Sequence, residues 1–112
     1  MDIQYKDSKL KKCAEDERKC VKEMGKIRAE KFQKRLNDLD VAETLEDTRY
    51  LPGSYHELTG DRKGQWSCDL DQPYRLIFEP KEQPIPTKED GGYDWTQITS
   101  VTIIEIVDYH KK

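Results

Sequence analysis

The stretch Gln65-Trp66-Ser67-Cys68-Asp69-Leu70, followed after three residues by Tyr74-Arg75-Leu76-Ile77-Phe78-Glu79, decides the fold. In the first run Trp66, Cys68 and Leu70 alternate with Gln65, Ser67 and Asp69; in the second Tyr74, Leu76 and Phe78 alternate with Arg75, Ile77 and Glu79. Successive side chains of a strand point to opposite faces, so period two predicts two half-buried strands, with Arg75 on the face opposite Tyr74, Leu76 and Phe78. Downstream, Ser100–Tyr109 is rich in β-branched residues and apolar on both faces, which predicts a central strand. Upstream, Tyr55-His56-Glu57-Leu58 reads as a short strand and Thr59–Gly64 as a turn, while Ile3-Gln4-Tyr5 alternates as an edge strand would.

Before Pro52-Gly53 the period changes. Asp7-Ser8 offers a side-chain oxygen to cap a short first helix carrying Leu10, Cys13 and Ala14. From Arg18 to Asp40, Val21, Met24, Phe32, Leu36 and Leu39 fall within roughly 120° on a helical wheel, a stripe fit to pack on a sheet. Ile27 lies outside that stripe. Gly25 weakens the middle by about 1 kcal/mol, so the helix is expected to bend or break there. Residues 43–50 add one helical turn. Lys22–Lys26 and Lys31–Arg35 repeat at i, i+4 and read first as a solvated face, with contact to RNA or to an acidic partner as the sharper alternative. Helices first and an antiparallel-rich sheet afterwards predict one α+β domain over residues 1–112, with a helical part at about 8–50 packed on one face of a sheet part at about 54–110. Residues 80–92, with Pro80, Pro84, Pro86, Gly91 and Gly92, read as an exposed, mobile loop without regular structure or catalytic role.

Composition narrows the function classes. The chain is 34% hydrophobic and 38% charged with a net charge of −3, so no overall positive field advertises a nucleic-acid binder. Residues 1–50 carry 13 Lys/Arg against 12 Asp/Glu and residues 51–112 carry 7 against 11, so attraction to RNA has to come from a local cluster of cations. No apolar run approaches a membrane span, and the first residues lack a signal-peptide core, which makes the expected location cytoplasmic. Cys13, Cys20 and Cys68 form no C-x-x-C pair and suggest reduced, structural thiols. A metal site from Cys68, His56 and His110 lacks the usual ligand spacing, so neither metal nor cofactor is expected.

Chemistry then falls to the histidines and their neighbours. His56 follows the Pro-Gly turn, Arg62 and Lys63 sit on the next turn, Arg75 on the strand beyond, and Tyr109 ends the last strand with His110 just after it. RNA cleavage needs a base for the ribose 2′-OH, an acid for the departing 5′-oxygen and cations for the phosphorane. Imidazole titrates near neutrality and guanidinium offers a planar donor fork, so this set can supply all three. The bland alternative is that Arg62, Lys63 and Arg75 simply pair with Asp61, Asp69 or Asp71.

The segment HELTGDRKGQWSCDLDQPYRLIFEP (His56–Pro80) and the closing IIEIVDYH (Ile103–His110) resemble the HigB-like toxins of the RelE/ParE superfamily. Those chains carry His-x-L-x-G-D-x-K-G-x-W-S, an aromatic-Arg-aliphatic-x-Phe strand and a terminal Asp-Tyr-His. The resemblance implies a RelE-like fold and the toxin of a type II toxin-antitoxin system, a ribosome-dependent mRNA endonuclease blocked by a helix-turn-helix, HigA-like antitoxin. DNA would be met only through the antitoxin complex, and there would be no membrane partner. Position by position it implies catalytic roles for His56, Lys63, Arg75, Tyr109 and His110, with His110 the leading general acid or base, Arg75 stabilising the phosphate, and His56 and Lys63 orienting or neutralising it. Arg62, Lys22 and Lys26 are the further expected RNA contacts. Two features depart from the family: the 80–92 loop is longer than in its shortest members, and the net charge is acidic. Two other readings are a ParE-like toxin that binds DNA gyrase without cleaving nucleic acid, and an inactive antitoxin-binding module.

Overall fold

A computed structural model describes residues 1–109. His110, expected to be catalytic, lies outside the described residues. The sheet consists of β1 (Asp2–Tyr5), β2 (His56–Glu57), β3 (Trp66–Asp69), β4 (Tyr74–Pro80) and β5 (Ser100–Asp108), in the order β1-β5-β4-β3-β2. Only β1 runs parallel to its neighbour; the other pairings are antiparallel. Helices α1 (Ser8–Glu15), α2 (Glu17–Met24) and α3 (Lys26–Val41) complete an α+β architecture of the RelE-like kind.

The local rules account for the helix boundaries. Asp7 accepts hydrogen bonds from the backbone N–H groups of Lys9 and Leu10, and Asp16 does the same for Lys19 at the start of α2. The expected interruption falls at Gly25, whose φ of +85° no β-carbon-bearing residue adopts easily. Phe32, Leu36 and Leu39 of the apolar stripe are buried, Val21 and Met24 pack at its margin, and Ile27 stays exposed.

The helices cover one face of the sheet. Trp66, Cys68, Leu76, Phe78 and Ile103 point into this core together with Leu10, Cys20, Ala29 and Phe32. Burial raises the Cys20 thiol to about 11 and pushes that of Cys68 higher still, so both are held as neutral thiols.

Four expectations need correcting. Arg35 is not on a solvated face: it is buried, with Nε donating to the Asp69 carbonyl at 2.7 Å and the guanidinium 3.8 Å from Asp38. Ser67 and Ile77, on the face away from the helices, are as deeply buried as their core-facing neighbours, so the middle of the sheet is covered on both sides. The 80–92 segment is not featureless. Pro80 ends β4 and is buried, Ile85 packs against the core, and Thr87 bridges Tyr93, whose ring leans on Trp66 at 5.5 Å. Finally, β5 ends at Asp108, one residue earlier than expected, and Tyr109 stands just beyond it.

One irregularity positions the site. The β4–β5 register shifts between Ile77, opposite Glu105, and Phe78, opposite Ile103, leaving Ile104 as the extra residue. A bulge reverses the phase of alternation. Ile103 and Ile106 therefore both join the core side, while Glu105 and Val107 turn to the other face.

Candidate functional site

On the face away from the helices, strand register lines up His56, Ser67, Ile77 and Glu105 across β2, β3, β4 and β5. The next row is Asp69, Arg75 and Val107. The 3-10 turn Gly60–Arg62, between β2 and β3, sends Arg62 over the first row. Its guanidinium donates to Gln65 at 2.9 Å and to Glu105 at 3.0 Å. A hollow of about 670 Å³ lies beside this arch. The β2–β3 connection (Leu58, Thr59, Asp61, Arg62) forms one wall, Val107, Asp108 and Tyr109 the other, and His56 stands at the margin.

The backbone before β2 fixes the imidazole of His56. Ser54 holds a left-handed conformation (φ +50°), and its carbonyl lies 2.6 Å from His56 Nδ1. A carbonyl only accepts, so the hydrogen resides on Nδ1, and in the neutral ring Nε2 keeps its lone pair. Nε2 faces the Ser67 hydroxyl at 3.4 Å, a long contact that leaves this nitrogen available to a closer partner.

Arg75 flanks the hollow without lining it. It pairs with Asp69 at 3.0 Å across the β3–β4 ladder, donates to Gln72 at 3.0 Å, and sits 5.2 Å from the centre of the Tyr109 ring. Arg62, Arg75, His56 and Tyr109 are thus gathered at one end of this face. Lys63 is exposed at the end of its turn and does not line the hollow; Lys22 and Lys26 are exposed on α2 and α3 and do not line it either. Among the described residues no cluster of His, Cys, Asp and Glu has the form of a metal site, and Cys68 points into the core, away from the face that carries His56. The pairing alternative holds for Arg75, which engages Asp69. For Arg62 the partner is Glu105, and Asp71 is taken by Arg28 at 3.0 Å.

Sequence reading missed Glu105 and Gln65, which hold Arg62, and Thr59, Asp61 and Asp108, which line the hollow. Asp108 had a signal, as the first residue of the terminal Asp-Tyr-His. Glu105 had none, because its side of the sheet depends on the bulge.

The profile of the family described as "RelE-like toxin of type II toxin-antitoxin system HigB" matches residues 3–87. The chain belongs to the HigB-like toxin family. It is also 34% identical over 80 residues to the protein named Toxin HigB-1 of Vibrio cholerae serotype O1, covering 70% of this chain and 83% of that one. As a type II toxin, this HigB-like protein implies an antitoxin partner. No helix among its described residues is long and apolar enough to cross a membrane.

Proposed function

We propose that this HigB-like toxin is a ribosome-dependent mRNA endonuclease that acts in the cytoplasm and is restrained by a helix-turn-helix, HigA-like antitoxin, through which alone it meets DNA. In the reaction a base removes the proton of a ribose 2′-OH. That oxygen attacks the adjacent phosphorus, the bond from phosphorus to the 5′-oxygen breaks, and an acid returns a proton to the leaving oxygen. Proton transfer falls to His110 and His56, and charge on the phosphorane is met by Arg75, Arg62 and Lys63 without a metal ion. Tyr109 supplies a wall of the hollow.

The observation that carries this reading is the meeting of an imidazole whose Nε2 makes only a long contact, two guanidinium groups and Tyr109 around a single hollow. Proton transfer has a use for a histidine whose tautomer is set by a backbone carbonyl, whereas pure binding needs no such arrangement.

Primer extension on mRNA translated in a purified system provides the test. Wild-type toxin is expected to leave discrete cuts, and His56→Ala, Arg75→Ala and His110→Ala to reduce them by about 10²–10⁴-fold for the proton-transfer residues. Intact mRNA with altered DNA supercoiling would replace this reading with gyrase binding; no response of either would leave only an antitoxin-binding module.

A further inference from the structure

The two arginines of the site are already paired. Arg28, Arg35, Arg49, Arg62 and Arg75 each sit in an ion pair, with Asp71, Asp38, Glu46, Glu105 and Asp69 respectively. A phosphate reaching Arg62 or Arg75 therefore has to displace a carboxylate.

The Arg62–Glu105 pair is the one built for exchange. Arg62 keeps one amino nitrogen on Gln65 while the other meets Glu105, so losing the carboxylate leaves the guanidinium still anchored over the sheet. Their side chains are 35% and 45% exposed, the most open of the ion pairs that touch the site. An open pair is weakly held, and a guanidinium donates strong charge-assisted hydrogen bonds to a phosphodiester. Glu105 comes from β5, two residues before Val107 in the hollow's far wall, so the exchange happens at the hollow's edge.

We propose that Glu105 is a stand-in for an RNA phosphate, occupying Arg62 in the free toxin and giving it up when substrate docks. The proposal rests on the RNA-cleaving reading and adds to it a competitor for the phosphate that is built into the sheet. A strand diffusing alone has to outcompete Glu105 with its own binding energy. A strand immobilised elsewhere offers its phosphate at high effective concentration, and there the competition matters little.

The test uses the full chain and a fluorescent single-stranded RNA fully 2′-O-methylated so that it cannot be cut. Glu105→Gln is expected to tighten binding about two- to fivefold at low salt, the size of an open ion pair. It is also expected to steepen the dependence of log affinity on log salt by about 0.7, the contribution of one more neutralised phosphate on a single strand. Glu79→Gln, an equal change of charge on the same face of β4, is the control and is expected to do less. On an Arg62→Ala background, Glu105→Gln is expected to have no further effect. Equal tightening on that background, or none in either, overturns the proposal, as does a free toxin that binds the oligonucleotide in no form. If the binding pattern holds but wild type cuts nothing, the nuclease reading falls and the exchange stands; if cutting is His56-dependent but the binding pattern is flat, only the exchange falls.

Discussion

Phe78 and Ile77 are consecutive residues of β4, both 0% exposed, yet they serve opposite faces of the sheet. Around Phe78 the face is aromatic and aliphatic: Tyr55 meets it edge-on at 6.3 Å, and Trp66 and Leu76 join it under the helices. Around Ile77 the row runs through Ser67, His56 and Glu105, and Arg62 arches over it. On the first face burial drives folding. On the second it supplies a firm floor for groups that are only half-buried and held by ion pairs. The same strand therefore builds stability on one side and a charged, exchangeable surface on the other.

Truncating the two faces separately is the strongest way to break that contrast. Phe78→Ala removes a fully enclosed ring, which costs about 3–5 kcal/mol including the cavity left behind. Arg62→Ala removes one partner of an open ion pair and should cost under about 1 kcal/mol. Urea unfolding of both variants measures this directly. Comparable losses would mean that the outer face is a second core and that its charges are there for stability.

The difference between the faces also explains what could be read in advance. Trp66, Cys68, Leu70, Tyr74, Leu76 and Phe78 announced two strands because a core on one side imposes period two. The stripe from Val21 to Leu39 and the interruption at Gly25 were legible for the same reason. Arg35 was not, because a helical wheel records position without recording that Asp69 offers a carbonyl from another strand. The histidine before the turn, the strand arginine and Tyr109 were recognisable as residue types in an ordered motif. Their company was not: that Glu105 and not Asp61 holds Arg62 follows from a register shift at Ile104, a feature no local pattern encodes. Ser67 and Ile77 read as half-exposed because alternation records which face a residue takes and not whether that face is covered.

The two faces are joined at Gly53, which offers the next test. Its carbonyl accepts from the Asp69 N–H at 2.7 Å, and a β-carbon there would lie 2.7 Å from Arg35 Nε. With φ at +119°, only glycine fits without strain. Gly53→Ala is expected to cost about 2–3 kcal/mol by pushing Arg35 off the Asp69 carbonyl. Because Ser54 and His56 follow directly, mRNA cleavage should drop in the same variant under conditions where it remains folded. Thermal unfolding paired with primer extension separates the two effects. A stable variant with full activity would disconnect the helical layer from the loop that orients His56.

The smallest effect concerns a carboxylate that, unlike Glu105, serves the fold. Glu82 receives the Thr99 N–H at 2.6 Å, the Thr99 hydroxyl at 2.8 Å and the Ser100 hydroxyl at 3.2 Å, tying the segment after β4 to the start of β5. Partial burial alone would raise its pKa, but these donors favour the charged form and hold it below the ordinary carboxyl value. A depressed folded-state pKa stabilises the fold above the unfolded value of about 4.3, and that contribution disappears as pH falls through the folded value. Glu82→Gln should therefore cost about 1 kcal/mol at pH 7, allowing for its exposure to solvent. As pH falls through that folded value the variant and wild type should converge, because protonated Glu82 is neutral like glutamine. A gap that persists unchanged into acid would show that the side chain's shape, and not its charge, fastens this end of the sheet.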